Sequence, residues 1–377
     1  MRNKISLRGI GAAIFAVVVF LGLALSAADR VMAAQVAGKP QITNGKVEER
    51  EVKGGLAAEI ESWAKGSQQA RWLGYSVPAV HSDHRTCCGN SGNDWNGEKC
   101  GPCRLEDGKN GGSYNLRSGD VKLEGPNGLV VMLRAEKGQV GKVRVFSDDC
   151  TLDAGGLQVA WLNGVSPAES VKVLETFVDS KELDERGGER LSRGALMAIA
   201  MHADPSADQA MGKFVLPDKP EGMRREAAFW AGEARGAAGL QLLKRMAKED
   251  PSNEVRAHVA FALSVSSETG AVDEMIRMAH DDTSGRVRGQ ALFWLAQKAG
   301  NKASGAISGA IENDPDTEVK KKAVFALSQL PKDDGVPKLI QVAQNNRNRE
   351  VRKQAMFWLG QSNDPRALEF FEKVLGK

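Results

Sequence analysis

The chain has 377 residues, with 51 Lys and Arg against 48 Asp and Glu, and its formal net charge is +3. Residues 1–34 alone hold Arg2, Lys4, Arg8 and Arg30 against Asp29, so without that segment the net charge is zero. Overall charge therefore gives no ground for nucleic-acid binding, and no nucleic-acid partner is expected.

Residues 1–34 read as a signal peptide. Arg2, Lys4 and Arg8 form a basic start, Ile10 to Leu25 is apolar or small throughout, and Ser26-Ala27-Ala28 and Val31-Met32-Ala33-Ala34 supply small residues for cleavage. Cleavage after Ala28, Ala33 or Ala34 suits the pattern. An uncleaved anchor is the alternative, although the run is short for a span. No cysteine follows it, so a lipid-anchored form is not expected. A periplasmic or secreted protein is expected, with no stable membrane insertion after cleavage.

Residues 35–55 lack periodicity and read as a linker. Residues 56–165 read as a cysteine-containing, β-rich domain. Leu56, Ile60 and Trp63 stand at helical spacing, and strand signals follow at Trp72 to Val77, Leu129 to Ala135, Lys142 to Phe146 and Leu157 to Leu162. Glu136-Lys137-Gly138-Gln139 separates two of them at hairpin distance. A small antiparallel sheet is the economical arrangement. Asp148-Asp149 and Asp153-Ala154-Gly155-Gly156 read as an acidic turn.

All five cysteines, Cys87, Cys88, Cys100, Cys103 and Cys150, fall in this domain. Four sit in a loop from His81 to Ser118 that is rich in Gly, Asn and Asp and has no apolar period, so staples must order it. In an exported chain those staples are disulfides, whose connectivity the sequence leaves open. Two other chemistries are open to the same loop. Cys100-Gly101-Pro102-Cys103 has the spacing of a thiol redox site, and His81, His84, Cys87, Cys88, Cys100 and Cys103 offer ligands for zinc.

Residues 166–377 form an array. Ser166-Pro167-Ala168-Glu169 has the form of a capping box ahead of Val171, Leu174 and Val178. Phenylalanine then recurs every 32 residues, at 229, 261, 293, 325 and 357, and valine followed by a base recurs at 255, 287, 319 and 351. Such a period marks a supersecondary unit that buries its apolar face by stacking on copies of itself. Within one unit, Val255, Val259, Ala262 and Leu263 share a helical stripe; Val272, Met275, Ile276 and Ala279 make a second. Asp250-Pro251 and Asp314-Pro315 supply turns between units. The fold class is α+β and multi-domain: a small β-rich domain followed by an α-solenoid of helical hairpins.

The run Asp-Pro-x-x-Glu-Val-Arg-x-x-Ala-x-x-x-Leu, at Asp250 to Leu263 with Val259 for Ala and at Asp314 to Leu327 with Lys320 for Arg, resembles HEAT-like repeats. A looser copy spans Asn346 to Leu359 and a divergent one Asp282 to Leu295. The resemblance, to short alanine-rich bacterial repeats, implies a solenoid and an Asp–Arg bond along the stack, for which Asp250 and Arg256 are available; with the export expected from residues 1–34 it places the chain in a bacterial envelope. It is nearly silent on function.

The recurrent rings stand outside the apolar stripe. With Val255 at 0° and ~100° per residue, Phe261 falls near ~240°. Trp230, Trp294 and Trp358 follow the phenylalanine in alternate copies, with Ala262 and Ala326 between. Either the rings pack between neighbouring units, or they line a groove for a peptide with Lys321, Lys322 and Lys353 beside them. The candidate binding residues are Phe229, Trp230, Phe261, Phe293, Trp294, Phe325, Phe357 and Trp358. His202, His258 and His280 fall at helical positions as surface or satisfied residues. No catalytic constellation and no cofactor motif is found. The sequence thus indicates an exported scaffold for a protein or peptide partner. The alternative is an envelope enzyme with a thiol or zinc site in the Cys87–Cys103 loop.

Overall fold

The computed structural model describes residues 38–80, 103–106, 128–178 and 191–376. The segment read as a signal peptide and most of the cysteine loop, with His81, His84, Cys87, Cys88 and Cys100, lie outside the described residues. The first elements are β1 (Gln41–Thr43), β2 (Lys46–Glu51), α1 (Leu56–Lys65), β3 (Arg71–Pro78), β4 (Cys103–Arg104), β5 (Gly128–Glu136), β6 (Gln139–Ser147), β7 (Thr151–Asp153) and β8 (Gln158–Asn163). A five-stranded sheet has the order β2-β8-β3-β5-β6, and β1-β7-β4 form a smaller one.

Strand alternation sorts side chains between two cores. On β5, Leu129, Val131 and Leu133 enter the main core, while Val130 and Met132 enter a second one beneath the smaller sheet. On β8, Ala160 and Leu162 face the first, Val159 and Trp161 the second. Both faces are covered, so β5 reads as a continuous apolar run. Gly74 has no side chain because a Cβ would stand 2.5 Å from Met132 Sδ and 2.9 Å from the Trp161 ring. The β5–β6 turn places Lys137 at φ 54° and Gly138 at φ 82°, the left-handed pair that a two-residue hairpin needs.

The expected sheet is present, but its pairing is mixed. β3, β5 and β6 are antiparallel neighbours, whereas β8 runs parallel to β3 and β2 parallel to β8. The stretch read as a linker carries β1 and β2. Its lack of alternation has a physical cause: β2 is an edge strand, and its charged side chains stand in water. Asp153 does act as a turn residue, accepting from Gly155 N at 2.9 Å and from Asn44 Nδ2 at 3.0 Å.

The helices that follow are α2 (Pro167–Glu175), α3 (Leu191–Met201), α4 (Pro205–Phe214), α5 (Glu221–Ala234), α6 (Gly236–Glu249), α7 (Asn253–Val265) and α8 (Gly270–Asp281). Then come α9 (Gly285–Ala299), α10 (Ser304–Asn313), α11 (Thr317–Ser328), α12 (Lys332–Asn345), α13 (Arg349–Gln361) and α14 (Pro365–Leu375). Ser166 occupies the N-cap of α2, but its side chain makes no capping bond, so the expected capping box is not formed. Glu169 leans instead towards Gly55.

The apolar core continues across residue 165. Helix α3 is apolar all round, with Ala195 to Met201 buried, because it packs on β6 and on α5. Gly194 marks the closest approach: a Cβ there would lie 2.1 Å from Val143 O. A buried polar chain seals the same junction. Tyr75 OH meets Ser170 Oγ at 2.8 Å, Ser170 meets His202 Nε2 at 2.8 Å, and His202 Nδ1 meets Ala198 O at 2.6 Å. Backbone bonds from Val80 N to Met201 O and from Ala203 N to Pro78 O tie the end of β3 to the loop after α3. His202 is thus a satisfied core residue.

Within the array, α5, α7, α9, α11 and α13 pack side by side, and an ion-pair ladder binds three of their four joints. Arg224 reaches Asp250, Arg256 reaches Asp282 and Arg288 reaches Asp314, each carboxylate 26 residues on, through paired bonds of 2.7–3.1 Å. All six side chains are at most 10% exposed. Each Asp also accepts the N–H two residues ahead, at Ser252, Ser284 and Asp316. Arg256 and Arg288 donate back to the carbonyls of Asp250 and Asp282 at 2.8 and 2.9 Å. The expected Asp250–Arg256 bond is therefore corrected: Arg256 takes only the Asp250 carbonyl, and the Asp250 carboxylate holds Arg224 of the preceding unit. Burial disfavours the charged form of Asp314, but the bonds from Arg288 and Asp316 N outweigh it and hold the pKa below the ordinary value.

The fourth joint lacks its rung. Lys320 stands where the arginine would be and donates to Glu312 O at 2.7 Å, and Asn346 replaces the aspartate. Between these two helices the Asn348 Nδ2 to Thr317 Oγ1 bond of 3.0 Å crosses beside the apolar packing, and at the other side of the joint the half-exposed Arg366 of α14 reaches Lys332 O and Asp333 of α12, each at 3.2 Å.

Four consequences are measurable. Gly194→Ala should wedge α3 off β6 and cost about 1–3 kcal/mol in urea unfolding, and an unchanged midpoint would contradict this packing. Asp282→Ala strands a buried guanidinium and should cost about 3–5 kcal/mol. Lys320→Arg with Asn346→Asp should restore the missing rung, with a favourable coupling of about 1–3 kcal/mol in a double-mutant cycle; additivity would show that the joint cannot form one. Burial of His202 lowers its pKa from 6.5 to about 4, so the unfolded chain takes up the proton first. Its contribution is complete above pH 6.5 and is lost as the pH falls towards 4, by roughly 3 kcal/mol. A His202→Gln chain should show a flatter stability profile over that window.

Candidate functional site

The eight candidate rings form one continuous row along the side-by-side helices. Phe229 stacks on Phe261 with centroids 5.8 Å apart, and Phe261 meets Trp294 at 4.8 Å. Phe293 stacks on Phe325 at 5.9 Å, and Phe325 meets Trp358 at 4.8 Å. Within single helices the edge-to-face pairs Phe229–Trp230, Phe293–Trp294 and Phe357–Trp358 lie at 5.0, 4.8 and 5.0 Å. Each ring touches the next, in arrangements that aromatic quadrupoles favour.

The helical stripe explains why the rings are where they are. Val255, Val259, Ala262 and Leu263 are fully buried, as their shared face requires, and Phe261 on another face is only half-buried. Phe229, Phe293 and Phe325 are likewise half-buried, Phe357 is 54% exposed, and Trp230 is buried. The rings thus pack between units, and each phenylalanine leaves part of its surface open. The alternation of Trp and Ala has a steric cause. Trp294 and Trp358 reach back onto Phe261 and Phe325, whose own following residues are Ala262 and Ala326. Helix α5 approaches α7 closely because Gly232 has no Cβ, which would stand 2.2 Å from Ala262 O.

Charged residues flank the row. Four residues before each phenylalanine stand Arg225, Ala257, Gly289, Lys321 and Lys353; three before stand Glu226, His258, Gln290, Lys322 and Gln354. Lys321 pairs with Glu318 at 3.0 Å, Lys353 with Glu350 at 3.1 Å, and Arg286 with Glu254 of the preceding helix at 2.6 Å. The His258 ring meets Phe261 edge-on at 5.4 Å, and burial followed by the Arg225 charge lowers its pKa to about 4. It stands neutral beside the rings. His280 is exposed, against Asp281. Arg225 escaped the sequence reading; its signal was its place four residues before a recurrent phenylalanine.

The cysteine candidates are only partly described. Cys103 and Cys150 are buried in the second core with Trp72, Leu105 and Leu152, and Cys150 is disulfide-bonded. Cys103 lies on β4, a strand paired with β7, rather than at the helix start that an activated thiol pair uses. Arg134 holds Glu106 through bonds of 3.0–3.2 Å, and Glu106 in turn accepts from Trp72 Nε1 at 2.7 Å, which pins this short strand to the sheet. Among the described residues there is no cluster of three or more metal-ligating side chains, and no helix is long and apolar enough to cross a membrane.

A family described as HEAT repeats matches residues 209–296 and 306–377. None of the curated proteins compared matches the chain. Among solved structures, human deoxyhypusine hydroxylase is 15% identical over 55% of this chain and 90% of its own, with a TM-score of 0.30. The Escherichia coli protein YibA is 19% identical over 57% of this chain and 82% of its own, at a TM-score of 0.32. The complex of CpcE and CpcF, a phycocyanin lyase from Nostoc, gives 18%, 55%, 81% and 0.29 in the same order. At such identities and TM-scores the likeness says nothing of activity. What the family match and the 32-residue ladder establish together is that the C-terminal region of this chain is built of HEAT-like repeats, preceded by a sheet-containing region.

Proposed function

We propose that the protein is a docking scaffold whose partner, a protein or peptide, lies along the aromatic row. One observation carries the reading: rings from five successive hairpins touch in an unbroken series, yet every phenylalanine keeps part of its surface in water. A residue needed only for packing would be buried with the valine and leucine stripe. Repeats of this kind offer extended surfaces to protein partners, and aromatic anchors dominate such interfaces. The basic start and apolar run of residues 1–34 further support export to the periplasm or the medium. In that compartment the cysteines would act as disulfide staples rather than as a thiol or zinc centre.

Phe357 offers the cleanest test, because among the described residues its ring meets only the ring of Trp358, and it is the most exposed of the row. Phe357→Ala should shift stability by no more than about 0.5 kcal/mol and still weaken capture of a partner from an envelope extract. Phe293→Leu, which keeps apolar volume but removes the ring, should behave alike. If both variants capture the partner normally, the row is structural. A loss of about 3–5 kcal/mol at Phe357 would mean the same.

A further inference from the structure

The charges beside the rings are not evenly matched. Glu254, Glu318 and Glu350 each meet a cation of the same surface, and Glu226 accepts from Trp230 Nε1 at 3.3 Å. Arg225 and Lys322 are exposed and meet no carboxylate among the described residues. Lys322 is also held in place. Its stem crosses the preceding helix at Gly289, where a Cβ would stand 2.4 Å from Lys322 Cδ and 3.2 Å from Nζ. Glycine inside a helix costs about 1 kcal/mol relative to alanine, so this bed has a packing reason. It fixes the ammonium over α9, one turn before Phe293. Arg225 has the matching place one turn before Phe229 on α5. The pairs Lys321–Glu318 and Lys353–Glu350 are exposed and weak, so those lysines are free to exchange partners.

We infer that the partner is an acidic peptide segment, extended along the row, with apolar side chains on the rings and carboxylates on Arg225 and Lys322. The inference rests on the docking reading above and adds the partner's chemistry. Two helix spacings separate the cations, about 16–20 Å, which an extended chain covers in about five or six residues. The acids are thus expected at that separation, with leucine or aromatic side chains between them.

Fluorescence anisotropy with the full chain tests this, using three labelled peptides of one apolar sequence. Their two flanking positions carry Glu, Gln or Lys. The Glu peptide should bind tightest and lose affinity with added salt. Arg225→Gln and Lys322→Gln should each weaken it about three- to fivefold without changing the Gln peptide. Arg225→Glu combined with Lys322→Glu should transfer the preference to the Lys peptide. Both positions are exposed, so thermal melts of the variants should match that of the parent chain. Equal binding of the Glu and Gln peptides, each weakened by Phe357→Ala, would overturn the acidic partner and leave the docking row standing. Failure of every peptide to bind would remove both. Tighter binding of a single-stranded oligonucleotide than of the Glu peptide would assign the cations to phosphate and overturn the inference.

Discussion

A buried guanidinium that must find a carboxylate 26 residues further along the chain fixes how each hairpin sits on the next. Such a pair adds little net stability, because desolvation offsets most of its Coulomb energy. Its value is discrimination. Were one hairpin to slip or rotate, an arginine and an aspartate would be left buried and unpaired, at about 3–5 kcal/mol. The arginines of two rungs, Arg256 and Arg288, also hold a carbonyl of the turn just ahead of their own helices, so there turn geometry and inter-unit register are set by one side chain. The apolar stripe cannot do this, since alanine and valine surfaces accept many offsets.

The aromatic row depends on that register. Stacked contacts at 5.8 and 5.9 Å alternate with tilted ones at 4.8 Å, which makes the structural repeat two hairpins rather than one. Alanine after Phe261 and Phe325 leaves the space that the next tryptophan occupies. Tryptophan in every copy would crowd the layer that Gly232 keeps close, and alanine in every copy would open gaps between rings. Large and small residues therefore alternate for a steric reason, and the open faces of the phenylalanines are what remains after that packing is satisfied.

How much of this was legible in the sequence depended on the distance over which each interaction acts. The 32-residue step and the stripe through Val255 and Leu263 are local patterns, and they located the helices and showed that Phe261 points away from the hairpin core. The alternation in Lys142 to Phe146 likewise marked β6. The parallel pairing of β2 with β8 was not legible, because it joins segments more than 100 residues apart and leaves an edge strand of charges with no apolar signature. The ladder was half visible: Asp250 and Arg256 stood out as a pair within one unit, but their true partners lie in the units on either side. The orphan cation Arg225 became evident only when charges on one face were matched against each other.

The joint between α11 and α13 shows how these interactions substitute for one another. Lys320 and Asn346 remove both halves of the rung at once, so neither charge is stranded in the interior. Had only one been replaced, the survivor would have been a buried ion without a counterion, the most destabilising of the possible arrangements. Across this joint the Phe325–Trp358 contact continues the row, and Asn348 reaches Thr317 at the surface. Register is then carried by ring shape, this neutral hydrogen bond and the solvent-screened contacts of Arg366 with Asp333 and Lys332 O, all softer restraints than a buried guanidinium pair. The last hairpin is thus held to the first four helices of the row by weaker electrostatic restraints than those helices exert on one another. A docking surface that must follow the contour of a partner gains from having its adaptable joint beside Phe357 and Trp358, while the three ion-pair rungs keep Phe229 to Phe325 rigid.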